Sequence, residues 1–443
     1  MAKPDATQTF PRPSRRDFLK TSTAAAAGAL AGGLALERSA HAAGDDTLKV
    51  GLVGCGGRGT GAARDALTAD KNCIVTAMCD AFDDRLQRSR KNLKAAVGDR
   101  VAVDDDHCFA GFDGYQKLIA SGVDVVILAT SPHFRPLQLK ACIDAGKHVF
   151  CEKPVAVDAP GVRSVLATAE EAQKKNLNLV SGLCWRYYPP TQEIMKRVLD
   201  GAIGDVLAIQ ETYNTGATGA EEPRRPEWTE MEFQMRNWYF FTWLSGDHNV
   251  EQHVHSLDKG SWAMGDQPPA KAWGLGGRQV RTDPKHGDIY DHHAVVYEYA
   301  SGARMYSYCR QQAGCSGEVT DYFFGTKGVC NVLNDYQITG ENPWRADRAL
   351  KEASMYVREH EALFQAIRSG NTINNGRYMA VSTMLAILGR MVNYTGQTIT
   401  WEEAINSKQD LSPASYAWNA DPPTLPDKNG RYKVALPGVT KFV

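Results

Sequence analysis

The ten cysteines of this 443-residue chain include no CxxC pair, its charges form no basic stripe, and it shows no internal repeat. Beyond residue 43 no apolar run is long enough to cross a bilayer. With 50 basic and 51 acidic residues interspersed for a net charge of −1, there is no electrostatic footprint for nucleic acid, which is not an expected partner. Several cysteines, Cys73 and Cys79 among them, sit in apolar runs, which favours buried free thiols over disulfides; Cys309 and Cys315 are the pair to check first. What remains is a composition, 43% hydrophobic and 23% charged, that suits one large or two medium globular domains.

The first 42 residues read as a processing segment. Arg15 and Arg16 precede Phe18-Leu19-Lys20, a weakly apolar stretch "TSTAAAAGALAGGLAL" follows, and "AHA" at 40–42 places small residues for cleavage after Ala42. This is similar to a twin-arginine signal, so the twin-arginine translocase is an expected partner and the location is periplasmic or otherwise exported. That transporter moves folded proteins. An enzyme using it can trap a nucleotide in the cytoplasm and carry it across, which requires tight binding and regeneration in place.

From Thr47 onward short apolar runs alternate with helical segments: "LKVGLVG", "CIVTAMCD", "VDVVILAT" and "KHVFCE" read as strands. That alternation predicts an α/β fold with a doubly wound parallel sheet, a Rossmann domain, over 46–170. After Pro154 the character changes. "LNLVSGLCWRYYPP" reads as a further strand, and "VLAIQETYNTG", "DHHAVVYEYASGARMYSYCRQQ" and "SGEVTDYFFGTKGVCNVL" predict a large, mostly antiparallel sheet in an α+β domain over 171–405, with "YASGARM" as a hairpin. Residues 406–443 form a tail, and 213–237 read as an irregular surface loop.

Gly54-x-Gly56-x-x-Gly59 follows the first strand and opens a helix. Glycines there permit a tight turn and close backbone approach to a pyrophosphate, which the helix N-terminus stabilises. Asp80 ends the next strand, where a carboxylate can bind both ribose hydroxyls and repel a 2′-phosphate, so NAD is favoured and NADP remains open. Gly57 and Arg58 lie within the same loop. "CEKPVAVD" (151–158) ends the apparent last parallel strand, where ligands of such sheets bind, with Glu152 and Lys153 at its edge. In "GDHNVEQHVHSLDKG", taken as one helix, His248, Glu251, His255 and Asp258 recur at spacings 3, 4 and 3 and share a face. His248, Glu251 and His255 would also suit a metal ion. His292 and His293 alternate across a strand, so at most one faces a cleft.

The glycine loop, "AGKHVFCEKP" and the shift to an antiparallel domain resemble the glucose-fructose oxidoreductase/inositol dehydrogenase/MocA family over most of the chain after the signal. The resemblance implies that Lys153 faces the substrate hydroxyl, that His255 is the general base with Glu251 orienting it or binding the sugar, and that Asp258 completes the motif. Glu251 stands where the family has Asp, and His253 where it often has Gly. "CWRYYPP" matches a segment in which Trp185, Arg186 and Tyr187 could line the substrate pocket. "TSPHFRP", beginning at Thr130, parallels a loop over the nicotinamide, with Arg135 where a His is common and His133 as its possible substitute. The resemblance implies no metal, because the hydride acceptor performs the oxidation.

The expected function is therefore an exported NAD-dependent oxidoreductase acting on a secondary hydroxyl of a sugar, glycoside or cyclitol, with a homo-oligomer as in the family. The alternatives are a redox-neutral glycoside hydrolase or lyase, which oxidises transiently, eliminates and returns the hydride, and a non-catalytic sugar-binding protein.

Overall fold

The computed structural model describes residues 46–219 and 221–443, so the export signal lies outside the described residues. Runs with apolar residues at nearly every position become buried strands. β1 (Leu48–Val53), β2 (Cys73–Asp80), β3 (Cys108–Ala110), β4 (Val125–Leu128), β5 (His148–Cys151) and β6 (Leu179–Ser181) pair in parallel in the order β3-β2-β1-β4-β5-β6. All of Val125–Leu128 is buried, as expected of a strand covered on both faces by helices. Strand order reverses between β1 and β4, which opens a crevice at the C-terminal strand ends.

β5 is therefore not the last parallel strand, and the sheet continues past residue 170. The "LNLVSGLCWRYYPP" run supplies only three strand residues. Cys184–Tyr187 turns as a 3-10 segment, and Pro189 and Pro190 start the helix Pro189–Leu199, because proline suits a first helical turn and cannot donate to a sheet. The outer edge of β6 is closed from far along the chain: Leu179 exchanges backbone hydrogen bonds with Ile373 and Asn375 (2.8 and 2.9 Å).

The second sheet comprises β7 (Val206–Thr215), β8 (Lys271–Gly277), β9 (His292–Glu298), β10 (Arg304–Gln311), β11 (Glu318–Gly325), β12 (Gly328–Asn331), β13 (Gln337–Gly340), β14 (Trp344–Arg345) and β15 (Ile399–Thr400). Its order is β14-β13-β12-β11-β7-β10-β9-β8-β15. It is mostly antiparallel, with one parallel pair, β7 beside β10, since the long crossover between β7 and β8 lets the chain return alongside β7 in the same direction. Gly302, at φ 86°, turns the β9–β10 hairpin. One face of the sheet packs on the helices Val254–Ala263 and Gly376–Thr395. Elsewhere the sheet leaves Leu207, Leu275, Tyr308 and Phe324 exposed.

Residues 213–237 are more ordered than a surface loop. β7 runs to Thr215, and Glu230–Arg236 form a helix capped by the Thr229 side chain. Met231, Phe233 and Met235 are buried with Phe82, Phe134, Tyr239, Phe241 and Trp243. Their apolar contribution is hidden in the sequence by the Glu and Arg residues between them. The tail 406–443 contains no helix or strand, yet it packs: the Trp418 ring lies 4.5 Å from Phe112 and 5.0 Å from Phe82. All ten cysteines are free, with Cys309 buried and Cys315 exposed. Among the described residues no helix is long and apolar enough to cross a membrane.

Candidate active site

A cavity of about 390 Å³ opens at the crevice between β1 and β4. Its floor is the glycine loop. Gly54 has φ 99°, and a Cβ there would lie 2.5 Å from the backbone of Ala129 and Thr130; one at Gly59 would strike the Gly54 carbonyl. These two glycines are demanded by the fold. Gly56 and Gly57 differ: both line the cavity, and a Cβ on either would meet no protein atom within 4 Å. Their bareness leaves room for a ligand at the N-terminus of the helix Gly57–Ala69. The Asp80 carboxylate at the end of β2 accepts the backbone N–H groups of Cys55 (2.7 Å) and Phe82 (2.9 Å), while burial raises its pKa. Thr130 also lines the cavity, and its carbonyl accepts from Arg135 (2.6 Å). Phe82, Phe112, Phe134, Met235 and Trp238 form an aromatic and apolar rim.

Arg58 projects from the loop and is held by three carboxylates. It pairs with Glu152, with Glu359 (3.2 Å) and with Asp65 (3.2 Å), and its guanidinium lies 4.7 Å from the Tyr356 ring centroid. Glu359 is fully buried, and burial pushes its carboxyl well above the usual carboxylate range. The sequence reading missed it and Tyr356. The available signal was a polar residue on the core-facing side of the amphipathic helix Met355–Ser369.

On the opposite wall, Lys153 Nζ donates to the Glu251 carbonyl (2.6 Å) and to Glu251 Oε1 (2.9 Å). His255 lines the cavity beside them, and the Trp185 ring packs edge-on against its imidazole at 4.7 Å. Burial, then the cations of Lys153 and Lys259, hold the His255 pKa well below its usual value, so the imidazole is neutral.

The 246–260 segment is not one continuous helix. His248–Glu251 make a single turn, and the helix Val254–Ala263 begins only after a break at Gln252 and His253. Both break residues reach into the sheet: Gln252 Oε1 accepts from Gln311 (2.5 Å), and His253 Nε2 meets Ser307 Oγ (2.6 Å). The expected shared face is consequently split. Glu251 and His255 reach the cavity, whereas His248 turns to Asp247 and His293. The metal trio of His248, Glu251 and His255 is not assembled, because Glu251 is engaged by Lys153.

Asp258 faces away from the cavity. It accepts from Arg186 on both oxygens, Nη2 to Oδ1 (2.8 Å) and Nε to Oδ2 (3.1 Å), and from Ser382 (2.8 Å), while Arg186 also reaches Asp266 (2.6 Å) and lies over the Tyr378 ring. Tyr187 donates to Asn375 (2.6 Å), and burial pushes its hydroxyl up to about 12. Arg186, Tyr187 and Asp258 thus clamp elements together, and none of them lines the cavity; Trp185 backs His255 rather than facing in. His133 is buried against Trp243 and bonds Tyr416 Oη (2.8 Å), so it does not take the place of Arg135, which does line the cavity. His292 points outward and His293 inward to Asp247; neither lines the cavity.

Comparison with known proteins bears on the family and the fold. Residues 48–179 match the family model described as "Oxidoreductase family, NAD-binding Rossmann fold", and residues 12–32 match the twin-arginine translocation signal model. The myo-inositol 2-dehydrogenase of Thermotoga maritima is 24% identical over 73% of this chain and 89% of its own. Trans-1,2-dihydrobenzene-1,2-diol dehydrogenase of Sus scrofa is 25% identical, but the match spans only 50% of this chain and 59% of that enzyme. The structure of scyllo-inositol dehydrogenase from Lactobacillus casei with bound NAD(H) and scyllo-inositol superimposes with a TM-score of 0.62 at 19% identity, over 81% of this chain and all of that one.

Proposed function

Because the chain belongs to the glucose-fructose oxidoreductase/inositol dehydrogenase/MocA family of NAD-binding oxidoreductases acting on CH–OH groups, we propose that it transfers hydride between a secondary hydroxyl of a sugar, glycoside or cyclitol and a tightly held nicotinamide. Its twin-arginine signal indicates export by that route, and we place the work in the periplasm. The observation that carries the reading is one cavity with a bare glycine floor and Asp80 on one side, and Lys153, Glu251 and His255 on the other.

The nicotinamide, when bound, supplies the hydride acceptor. Gly56 and Gly57 give the pyrophosphate its room, and Asp80 is placed for the ribose diol. A carboxylate held there by two amides opposes a 2′-phosphate, which supports NAD over NADP. Lys153 spends two of its three ammonium protons on Glu251, so the third is left for the substrate hydroxyl and steadies alkoxide character as it develops. The neutral imidazole of His255 receives the hydroxyl proton. Trp185, packed on its edge, keeps the ring oriented. The exposed Leu207, Leu275, Tyr308 and Phe324 support an oligomer contact on the second sheet.

The test is to denature purified mature protein, identify the released nucleotide, and then supply native protein with single sugars, cyclitols and aryl glycosides. NADH accumulating at 340 nm is the expected result. Many turnovers of aglycone release with no net NADH would replace the reading with the redox-neutral one, and no nucleotide with no turnover would leave a sugar-binding protein.

A further inference from the structure

Three side chains outside the cavity bring one polar atom each close together. Asp247 Oδ1 lies 2.8 Å from His248 Nδ1 and 3.2 Å from His293 Nε2, and all three atoms fall within 4.8 Å of one another. Every one of these residues is at most 3% exposed. Although the separations are short, the angles are wrong: Asp247 Oδ1, His248 Nδ1 and His293 Nε2 are each buried without a hydrogen bond that satisfies geometry.

The surroundings decide which ring nitrogens are bare. Asn249 donates its amide to the Ala386 carbonyl (2.8 Å), which turns Asn249 Oδ1 toward Cys309. The Cys309 thiol must then donate to that oxygen, so its sulfur accepts from His248 Nε2 at 3.5 Å. With its proton on Nε2, His248 presents a bare Nδ1 to a carboxylate oxygen. Two lone pairs that close need a positive charge between them. His293 Nδ1 lies 2.9 Å from the Asn393 amide, whose Oδ1 has no partner as placed; turned end for end, that amide accepts from Nδ1–H and leaves Nε2 bare as well.

The other Asp247 oxygen is already satisfied by the Tyr290 amide (2.9 Å) and the Tyr394 hydroxyl (2.5 Å). Among the described residues no Lys or Arg forms an ion pair with this buried carboxylate; the two imidazoles are its only ionic partners. A buried carboxylate oxygen this close to two ring nitrogens, with no hydrogen bond of acceptable geometry between them, calls for a positive charge. A divalent cation supplies it with neutral rings. Bonds of about 2.0–2.2 Å place neighbouring donor atoms about 2.8–3.6 Å apart at right to tetrahedral angles, a range that holds the separations of 2.8 and 3.2 Å seen here.

We propose that Asp247, His248 and His293 hold one divalent first-row transition ion, with zinc the best match to two imidazoles and a carboxylate. The site is closed and none of its members lines the cavity, so the ion is structural. It ties the Gly246–His248 turn, where Asp247 itself has φ 78°, to β9. Glu251, the partner of Lys153, is the last residue of the helical turn that starts at His248. The proposal concerns this cluster alone and stands independently of the reaction assigned to the cavity.

The test uses mature protein from cells grown with trace metals. Elemental analysis after exhaustive dialysis should find close to one zinc or similar ion per chain, and X-ray absorption at the zinc edge should show two imidazoles and a carboxylate. Stripping with a strong chelator should lower the unfolding temperature by several degrees, and Zn²⁺ or Co²⁺ should restore it. The His293→Gln variant should bind at least 100-fold more weakly. Less than a tenth of an equivalent in the wild type, with no uptake of added Zn²⁺ or Co²⁺, would overturn the proposal and leave a hydrogen-bonded cluster. Should His293→Gln not fold, the wild-type metal content and edge spectrum decide alone.

Discussion

Replacing Lys153 with Met keeps the length of the side chain and removes its charge, so two effects can be separated. The Lys153–Glu251 pair is about one-sixth exposed on each side (14% and 16%), and its Nζ–Oε1 distance is 2.9 Å. Removing one partner of a fully buried pair costs about 3–5 kcal/mol, because the other charge stays in low dielectric. Partial exposure lets water screen the stranded Glu251, which reduces the expected loss to ~1–3 kcal/mol. Melting should therefore fall by about 2–8 °C. The chemical effect is separate: loss of a positioned proton donor should lower turnover on the order of 10²–10⁴-fold, or about 3–5 kcal/mol of barrier. The double variant Lys153→Met/Glu251→Gln removes the stranded charge as well. It should regain most of the melting temperature while turnover stays low. Thermal unfolding and steady-state NADH formation on the three proteins distinguish the effects. If the double variant recovers turnover along with stability, the lysine is a strut and the proton argument is wrong.

His255→Ala should lower turnover by ~10²–10⁴-fold yet leave the amount of released nucleotide per chain unchanged, since no part of the glycine floor depends on it. Gly57→Val should do the reverse to binding: its Cβ meets no protein atom within 4 Å, so unfolding of nucleotide-free protein should shift by less than about 2 °C while bound nucleotide is lost. Acid should weaken the fold. Burial lowers His133 and His148 to about 4 and His360 to about 3, so below pH 6.5 the unfolded chain binds protons that the native state refuses. Stability should fall steadily from pH 6.5 toward 4, by up to about 3 kcal/mol per histidine; a flat melting temperature over that window would contradict it.

The parts of the site readable in the sequence were those in which a local pattern carries the constraint. Gly54 and Gly59 are forced by a turn, Asp80 by the end of an apolar strand, and Lys153 by the end of another. The parts that were not readable depend on residues meeting across long sequence distances. Glu359 reaches Arg58 from a helix near the other end of the chain. The break at Gln252 and His253 is made by Gln311 and Ser307 on β10, so helical spacing alone placed His248 and Asp258 on a face they do not share with His255. Arg186 looked like a pocket residue because "CWRYYPP" resembles a family segment; its partners Asp258 and Asp266 come from another element. The segment 213–237 read as loop because the charges in its second half obscured a buried apolar spacing.

The packing of the tail has a kinetic meaning. Trp418 rests on Phe82 and Phe112, two rings that also line the cavity, and Met235 and Trp238 line the same rim from the 230–240 segment. The rim is thus assembled from remote stretches of chain, and opening these contacts would widen the mouth above a nucleotide seated beneath it. The rate of escape would then depend on the free energy of local opening as well as on the phosphate contacts. For a protein threaded out of the cytoplasm already folded, that closure would make the dissociation half-time, more than the equilibrium affinity, the quantity that determines how long each molecule stays active.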